Sequence, residues 1–87
     1  MNTKSHKLIT TEFEVRELDR NGDAIDVSHF NTKPIAIQFA KDLKCVACVV
    51  EKHVAKYPAH LFATPDKYTT LATFGDEAAL KDGGWIE

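Results

Sequence analysis

The sequence predicts an α+β domain of order ββαββα, in which one main helix covers a four-stranded, mainly antiparallel sheet and a short helix ends the chain. Three observations indicate this fold. Apolar and polar residues alternate in the first third of the chain, apolar residues then recur at the spacing of a helix, and two segments rich in β-branched residues come after them. A chain of 87 residues can build only one small core. We expect residues 1–7 to form a flexible N-terminal segment and residues 8–87 to form the domain.

The first two strands are predicted to form a hairpin. Residues 8–18 alternate between apolar and polar side chains, and residues 24–30 do so again. A polar turn that contains Asn21 and Gly22 separates them. This pattern is typical of two half-buried antiparallel strands.

The register of the hairpin follows from the length of its loop, because a slip of one residue turns every side chain to the other face. A three-residue loop over 20–22, with Gly22 in the left-handed conformation of a G1 bulge, places Val27 opposite Val15. A two-residue loop would place Val27 opposite Arg16 and divide the apolar residues between two faces. We therefore expect the three-residue loop and its register.

An amphipathic helix of about three turns is predicted next. Asn31 or Thr32 offers an N-cap oxygen, and Pro34 suits the first helical turn. The apolar residues that recur at helical spacing before Lys44 are Ile35, Ala36, Phe39, Ala40 and Leu43. This apolar side should pack on the sheet.

The third strand is expected to be buried on both faces. From Cys45 the chain has six apolar residues in a row, and it then alternates as far as Val54. A helix with Val46, Val50 and Tyr57 on one side is the alternative, because periodicity alone does not distinguish the two structures.

The last third of the chain predicts a loop, a strand and a short helix. Residues 55–66 contain two prolines and no clear period, whereas residues 68–74 are again typical of a strand. Residues 77–82 form the short helix, and Trp85 and Ile86 should pack back onto the domain. A right-handed helical crossover would place the third strand beside the first, which gives the sheet order 2-1-3-4.

Composition and charge disfavour several classes of function. The net charge of -2 comes from acidic and basic residues spread along the chain, so no basic block is present to neutralise phosphates, and nucleic acid is a disfavoured partner. The start of the sequence lacks the apolar core of a signal peptide, and no segment has the ~18 apolar residues of a membrane span. We expect a cytoplasmic protein that does not contact a membrane.

Cysteines and histidines supply one candidate metal set. Cys45, Cys48, His53 and His60 have the residue types of a tetrahedral zinc site, although their spacing is not that of a common zinc finger. In a strand, Cys45 and Cys48 would point to opposite faces. We therefore expect buried structural thiols, with no metal and no cofactor.

The histidines do not by themselves predict an enzyme. Histidine is the residue type best suited to acid–base chemistry near neutral pH, so His29, His53 and His60 are candidates for that role, but no serine or cysteine lies in a recognisable nucleophile setting. His53 is expected to lie on the surface. We expect a non-enzymatic protein.

Two functions of different classes follow. The first is a protein-interaction module, homodimeric or with a protein partner, because a strand that is apolar on both faces has only one sizeable helix to cover it. The alternative is a nucleic-acid or small-ligand binding domain that uses the sheet face and the 55–66 loop. The residues expected to bind are Tyr57, His60, Phe62 and Tyr68.

Overall fold

The computed structural model describes residues 8–57 and 66–87 and has the predicted order of elements. These are β1 (Leu8–Leu18), β2 (Ala24–Phe30), α1 (Lys33–Asp42), β3 (Ala47–Tyr57), β4 (Lys67–Gly75) and α2 (Glu77–Asp82). All paired strands are antiparallel in the order β2-β1-β3-β4, which confirms the predicted sheet. The helical alternative for the third apolar segment is wrong. Within the described residues, neither helix has the length and apolar character needed to cross a bilayer.

The first core cluster lies between α1 and the sheet. Ala36 and Ala40 are buried against a group of residues that includes Val15 of β1. Their small side chains allow the helix to approach the sheet closely. Ile35, which the helical spacing placed on the buried side, is exposed, and Ile37 packs against the cluster instead.

The second core cluster lies on the opposite face, because successive residues of β3 alternate between faces. Its buried members are Leu18, Ala47, Val49, Ala79 and Leu80. Trp85 and Ile86 pack against it, as expected for the apolar tail. The Trp85 Nε1–H group also donates a hydrogen bond to the carbonyl oxygen of Gly22 at 2.8 Å. The end of the chain thus closes one half of this face.

The register of the β1–β2 hairpin differs from the prediction. Val27 pairs with Arg16, and Val15 pairs with Ser28, so the expected pairing of Val27 with Val15 is wrong. The predicted loop is nevertheless present: Gly22 has a φ of 83°. A bulge beyond the loop then shifts the register by one residue along the rest of the hairpin.

Packing of Phe30 against the first core cluster explains the shift. In the observed register Phe30 lies opposite Phe13, and its ring packs on that of Phe39 in α1 with centroids 4.9 Å apart. The expected register would have turned Phe30 to the face away from α1. Fully burying such a side chain contributes about 1.5–3 kcal/mol, and the partly buried Phe30 gains a share of that. Ile25, at the bulge, stays 58% exposed.

Gly22 and Gly84 provide a matched test of the contact between the hairpin loop and α2. Both have positive φ, but a Cβ atom on Gly22 would lie 2.3 Å from the carbonyl oxygen of Ala79, whereas one on Gly84 meets nothing within 4 Å. We expect Gly84→Ala to lower the free energy of unfolding by about 1–2 kcal/mol through backbone strain alone. Gly22→Ala should lower it by at least about 3 kcal/mol, because overpacking adds to the strain. Urea denaturation measures both values, and equal losses would contradict the close approach.

Candidate functional site

Polar side chains of the sheet gather on the face opposite α1, beside the second core cluster. Glu12, Glu14 and Arg16 alternate onto this face of β1. Their neighbours on β3 include His53, paired with Glu12, and Glu51, paired with Glu14. Glu14, Glu51 and His53 are all at least nine-tenths buried. Buried charge of this density is rare unless the groups contact one another or a ligand.

Two imidazoles converge on the same two carboxylates. The Nδ1 atom of His53 lies 3.1 Å from Glu12 Oε1 and 3.2 Å from Glu14 Oε2. His29 of β2 approaches from the other side of β1, with its Nδ1 atom 3.4 Å from Glu12 Oε1 and 3.7 Å from Glu14 Oε2. We call Glu12, Glu14, His29 and His53 the carboxylate–imidazole cluster. It exists because β1 lies between the two strands that carry the histidines.

The imidazole of His53 is oriented by contacts outside the cluster. Its Nε2 atom lies 3.2 Å from Asp66 Oδ2, and the other oxygen of Asp66 accepts a hydrogen bond from the backbone N–H of Lys56 at 3.1 Å. The ring of Tyr68 stacks on the imidazole with centroids 4.2 Å apart and planes 5° from parallel. The direction in which Nδ1 points is therefore set by the surrounding residues.

Arg16 is the one guanidinium beside the cluster in the described part of the chain. Its Nη2 atom donates to Glu14 Oε1 at 2.8 Å, and its Nε atom donates to Glu51 Oε1 at 2.5 Å. Glu14 thus uses one oxygen for Arg16 and turns the other towards the imidazoles. The carboxylates of this face that lie around Arg16 and the imidazoles are those of Glu12, Glu14, Glu51 and Asp66. Four carboxylates face one guanidinium there, so negative charge is in excess among these groups even when the histidines are protonated.

The pKa values of the cluster reflect these contacts. Burial is the largest single influence on His53 and lowers its pKa, but hydrogen bonds to Glu12 and Asp66 and the charge of Glu14 together raise it above its ordinary value. The hydrogen bond to His53 is the main cause of the lowered pKa of Glu12. The pKa of Asp66 is lowered first by the backbone N–H of Lys56 and then by His53.

The arrangement requires positive charge at His53. Carboxylates accept hydrogen bonds, and a neutral imidazole carries a proton on only one of its two ring nitrogens. Because carboxylate oxygens contact both ring nitrogens, a neutral ring would turn a lone pair towards Asp66 or towards Glu12 and Glu14. Either a second ring proton or a metal ion on Nδ1 removes this repulsion.

Two of the four residues expected to bind a ligand lie on this face. Tyr68 pairs with His53 across β3 and β4, and Tyr57 lies on the same side of β3 at its end. Both side chains are about half exposed. His60 and Phe62 lie outside the described residues. Ligand binding by these four residues stays a prediction.

The structure divides the cysteine-containing metal set between two faces. Cys48 is buried on the α1 face, whereas His53 lies on the opposite face and is buried rather than on the surface, which corrects that expectation. Cys45 precedes β3, so its thiol does not point away from that of Cys48, and both line a cavity of about 260 Å³ near the end of α1. Burial raises the pKa of Cys48 to about 12. His60 lies outside the described residues.

Sequence analysis placed none of Glu12, Glu14, His29 and Asp66 in a site, and of these four residues it considered only His29, as a possible acid or base. The signal for three of them was present: alternation places both glutamates on one side of β1, and the predicted strand order places β1 between His29 and His53. The expected hairpin register, however, paired His29 with Phe13 and so turned it to the α1 face. The error of one residue in the expected register was therefore enough to conceal that His29 lies beside Glu12 and Glu14.

Comparisons of the chain with protein-family models, with curated proteins and with solved structures found no match. The function is therefore inferred from the geometry of this chain alone.

The raised pKa of His53 predicts that stability depends on pH. A group whose pKa is higher in the folded state contributes stability below its ordinary pKa, which is 6.5 here, and loses it as the pH rises through the folded-state value. In buffer with a chelator, we expect the free energy of unfolding to fall as the pH rises above 6.5. Urea unfolding at several pH values measures this fall.

His53→Gln is the control for that measurement. It removes the titrating ring, so the fall above pH 6.5 should become much smaller in the variant, whatever its stability at a single pH. Stability of the unsubstituted protein that instead increases with pH in this range would show that burial outweighs the carboxylates.

Proposed function

We propose that the chain is a small, non-enzymatic ligand-binding domain and that its ligand is a divalent cation held at the carboxylate–imidazole cluster. One observation carries this proposal: ligand atoms of Glu12, Glu14 and His53 lie within 4.8 Å of one another. A cation at their centre would satisfy all three at once.

Burial and charge support the same ligand. The side chain of Glu14 is 4% exposed and that of His53 is 10% exposed, so the attraction for a cation is screened less than at an open surface. Arg16 is directed at the other oxygen of Glu14 and at Glu51, so it does not occupy the centre of the cluster. Glu12 and His29 are more exposed and leave a route for an ion from solvent.

The same face is unsuited to nucleic acid. Its carboxylates would repel phosphates, which basic side chains must neutralise in a nucleic-acid complex. Tyr68 already stacks on His53 and lies 5.6 Å below the guanidinium of Arg16, so the face of the ring that meets His53 is not free to stack on a base. Of the two alternatives that share the sheet face, the small-ligand domain is therefore preferred.

The cation site is tested by isothermal titration calorimetry on chelator-treated protein. We expect one ion to bind per chain, with Zn²⁺, Mn²⁺, Ca²⁺ and Mg²⁺ as the ions tested. At a free concentration 100 times the Kd, the bound ion should raise the free energy of unfolding by about 2.7 kcal/mol. Glu12→Gln should weaken binding at least about tenfold, a loss of about 1.4 kcal/mol, because it removes one charged ligand.

Glu77→Gln is the matched control. Glu77 lies on α2, is 72% exposed and pairs with Lys81, so its loss removes the same charge without touching the cluster. Affinity in this variant should stay within about twofold of the unsubstituted protein, about 0.4 kcal/mol. If none of the four ions binds, or if both variants lose affinity equally, the proposal is wrong.

A protein-interaction module is the second candidate, with a new basis. The expectation of a dimer came from an uncovered apolar face of β3, but α2, Trp85 and Ile86 cover its apolar part. What favours association instead is the start of β1. β2 pairs with β1 only as far as Phe13. Within the described residues, no strand therefore lies beside residues 8–12 of β1 on the side where β2 would continue. Leu8 and Ile9 are exposed at this free edge.

Self-association through this edge is tested by native mass spectrometry. Ile9 is 59% exposed at the edge, and Ile25 is 58% exposed at the bulge of β2. If the chain pairs through the edge, Ile9→Lys should abolish the dimer, because charged residues block edge pairing, whereas Ile25→Lys should leave it intact. A monomer at all concentrations up to about 100 μM, where a contact of useful strength would be populated, would remove this candidate.

A further inference from the structure

Resting on the proposed cation site, we infer that the ion is a transition metal of the Zn²⁺ type, held by the carboxylate–imidazole cluster with His29 of β2 as the fourth ligand. The inference goes beyond cation binding because it names the ion class, the coordination number and a ligand from a third strand. It rests on the donor atoms, their spacing and the contacts behind them.

The donor set selects the ion. Two carboxylate oxygens and two imidazole nitrogens face one another in the cluster. Calcium and magnesium are bound by oxygen ligands, in numbers of six or more, whereas imidazole suits zinc, copper, nickel and iron. A mixed set of two nitrogens and two oxygens therefore favours a transition metal.

The separations between the imidazoles and the carboxylates are close to those around one small ion. In a tetrahedral site with bonds of about 2.0–2.1 Å, neighbouring ligand atoms are about 3.3–3.4 Å apart. The four imidazole-to-carboxylate separations are 3.1, 3.2, 3.4 and 3.7 Å. These four separations are close to that spacing. The group of ligand atoms that lie within 4.8 Å of one another, however, comprises Glu12, Glu14 and His53 and not His29. The exposed side chain of His29 would therefore turn towards His53 when the ion binds.

Contacts behind the ligands fix which atoms face the ion. Asp66 contacts Nε2 of His53, which favours the ring form that has its proton there and a lone pair on Nδ1. Carboxylate partners of this kind orient the histidine ligands of metal sites. Arg16 occupies Oε1 of Glu14 and leaves Oε2 for the ion. Both buried ligands are therefore held by a second residue in the geometry that a metal needs.

Four protein ligands would complete the coordination of the ion. Zinc sites that catalyse reactions keep one position for water or substrate, whereas structural sites are closed. With His29 bound, the ion would join β2, β1 and β3 at the level where apolar packing on this face ends. The inferred role is binding and cross-linking of the sheet.

Substitution of Co²⁺ for the ion tests the inference. Tetrahedral Co²⁺ absorbs visible light much more strongly than octahedral Co²⁺, so the absorption spectrum reports the coordination number directly. We expect an intense visible spectrum for the unsubstituted protein, lost on addition of excess Zn²⁺. His29→Gln should shift the visible bands, because a water oxygen would replace an imidazole nitrogen, and should lower Zn²⁺ affinity by at least about tenfold.

Ser28→Ala is the control for His29→Gln. Ser28 is adjacent on β2 but lies on the α1 face opposite Val15, and the His29 side chain is 55% exposed, so neither change removes a core contact. Far-ultraviolet circular dichroism checks that both variants fold. Ser28→Ala should keep both the spectrum and the affinity.

The outcomes separate this inference from the proposed function. A weak, octahedral Co²⁺ spectrum, or a His29→Gln variant that behaves like Ser28→Ala, would overturn the inference while the cation site itself survives. Preference for Ca²⁺ or Mg²⁺ over Zn²⁺ would do the same. Failure of Co²⁺ and of all four ions to bind would refute the proposed function and this inference together.

Discussion

Pairing of β1 with β2 in one register is the constraint on which the rest of this structure depends. Phe30 enters the core beneath α1 only when it lies opposite Phe13, and this choice determines the face of every other residue on β2. It also places His29 opposite Glu14, on the other face. A single aromatic contact with Phe39 thereby positions a polar residue on the far side of the sheet.

The face opposite α1 changes its character along the strands. At one end, Val49 and its neighbours form an apolar core under α2, and the Trp85 indole donates a hydrogen bond to the hairpin loop. At the other end, buried glutamates and an imidazole occupy the corresponding positions. Replacing buried ion pairs by apolar residues is often neutral or stabilising, so stability alone does not explain such a cluster in so small a domain. A ligand for the cluster would explain it.

The two candidate metal sets differ in a way that geometry resolves. In the sequence, the cysteines were candidates because, with His53 and His60, they have the residue types of a zinc site. In the structure, burial raises the pKa of the Cys48 thiol to about 12, which disfavours the thiolate that binds metal. The glutamates and histidines have no comparable spacing along the chain. Three strands bring them together, and contacts with Arg16 and Asp66 orient them. Proximity in the sheet, rather than proximity in sequence, defines the site.

The sequence by itself determined the order of most elements, because alternation, helical period and apolar runs are local properties of the chain. The strand order was predicted from the handedness of the crossover. Only the tertiary structure decided that the third apolar segment is a strand rather than a helix. The sequence also determined the left-handed turn at Gly22, which only glycine adopts readily. Only the tertiary structure decided the hairpin register and the meeting of His29 and His53 at Glu12 and Glu14. Both depend on which side chains fill the space under α1, and this competition between distant residues leaves no periodic trace in the sequence.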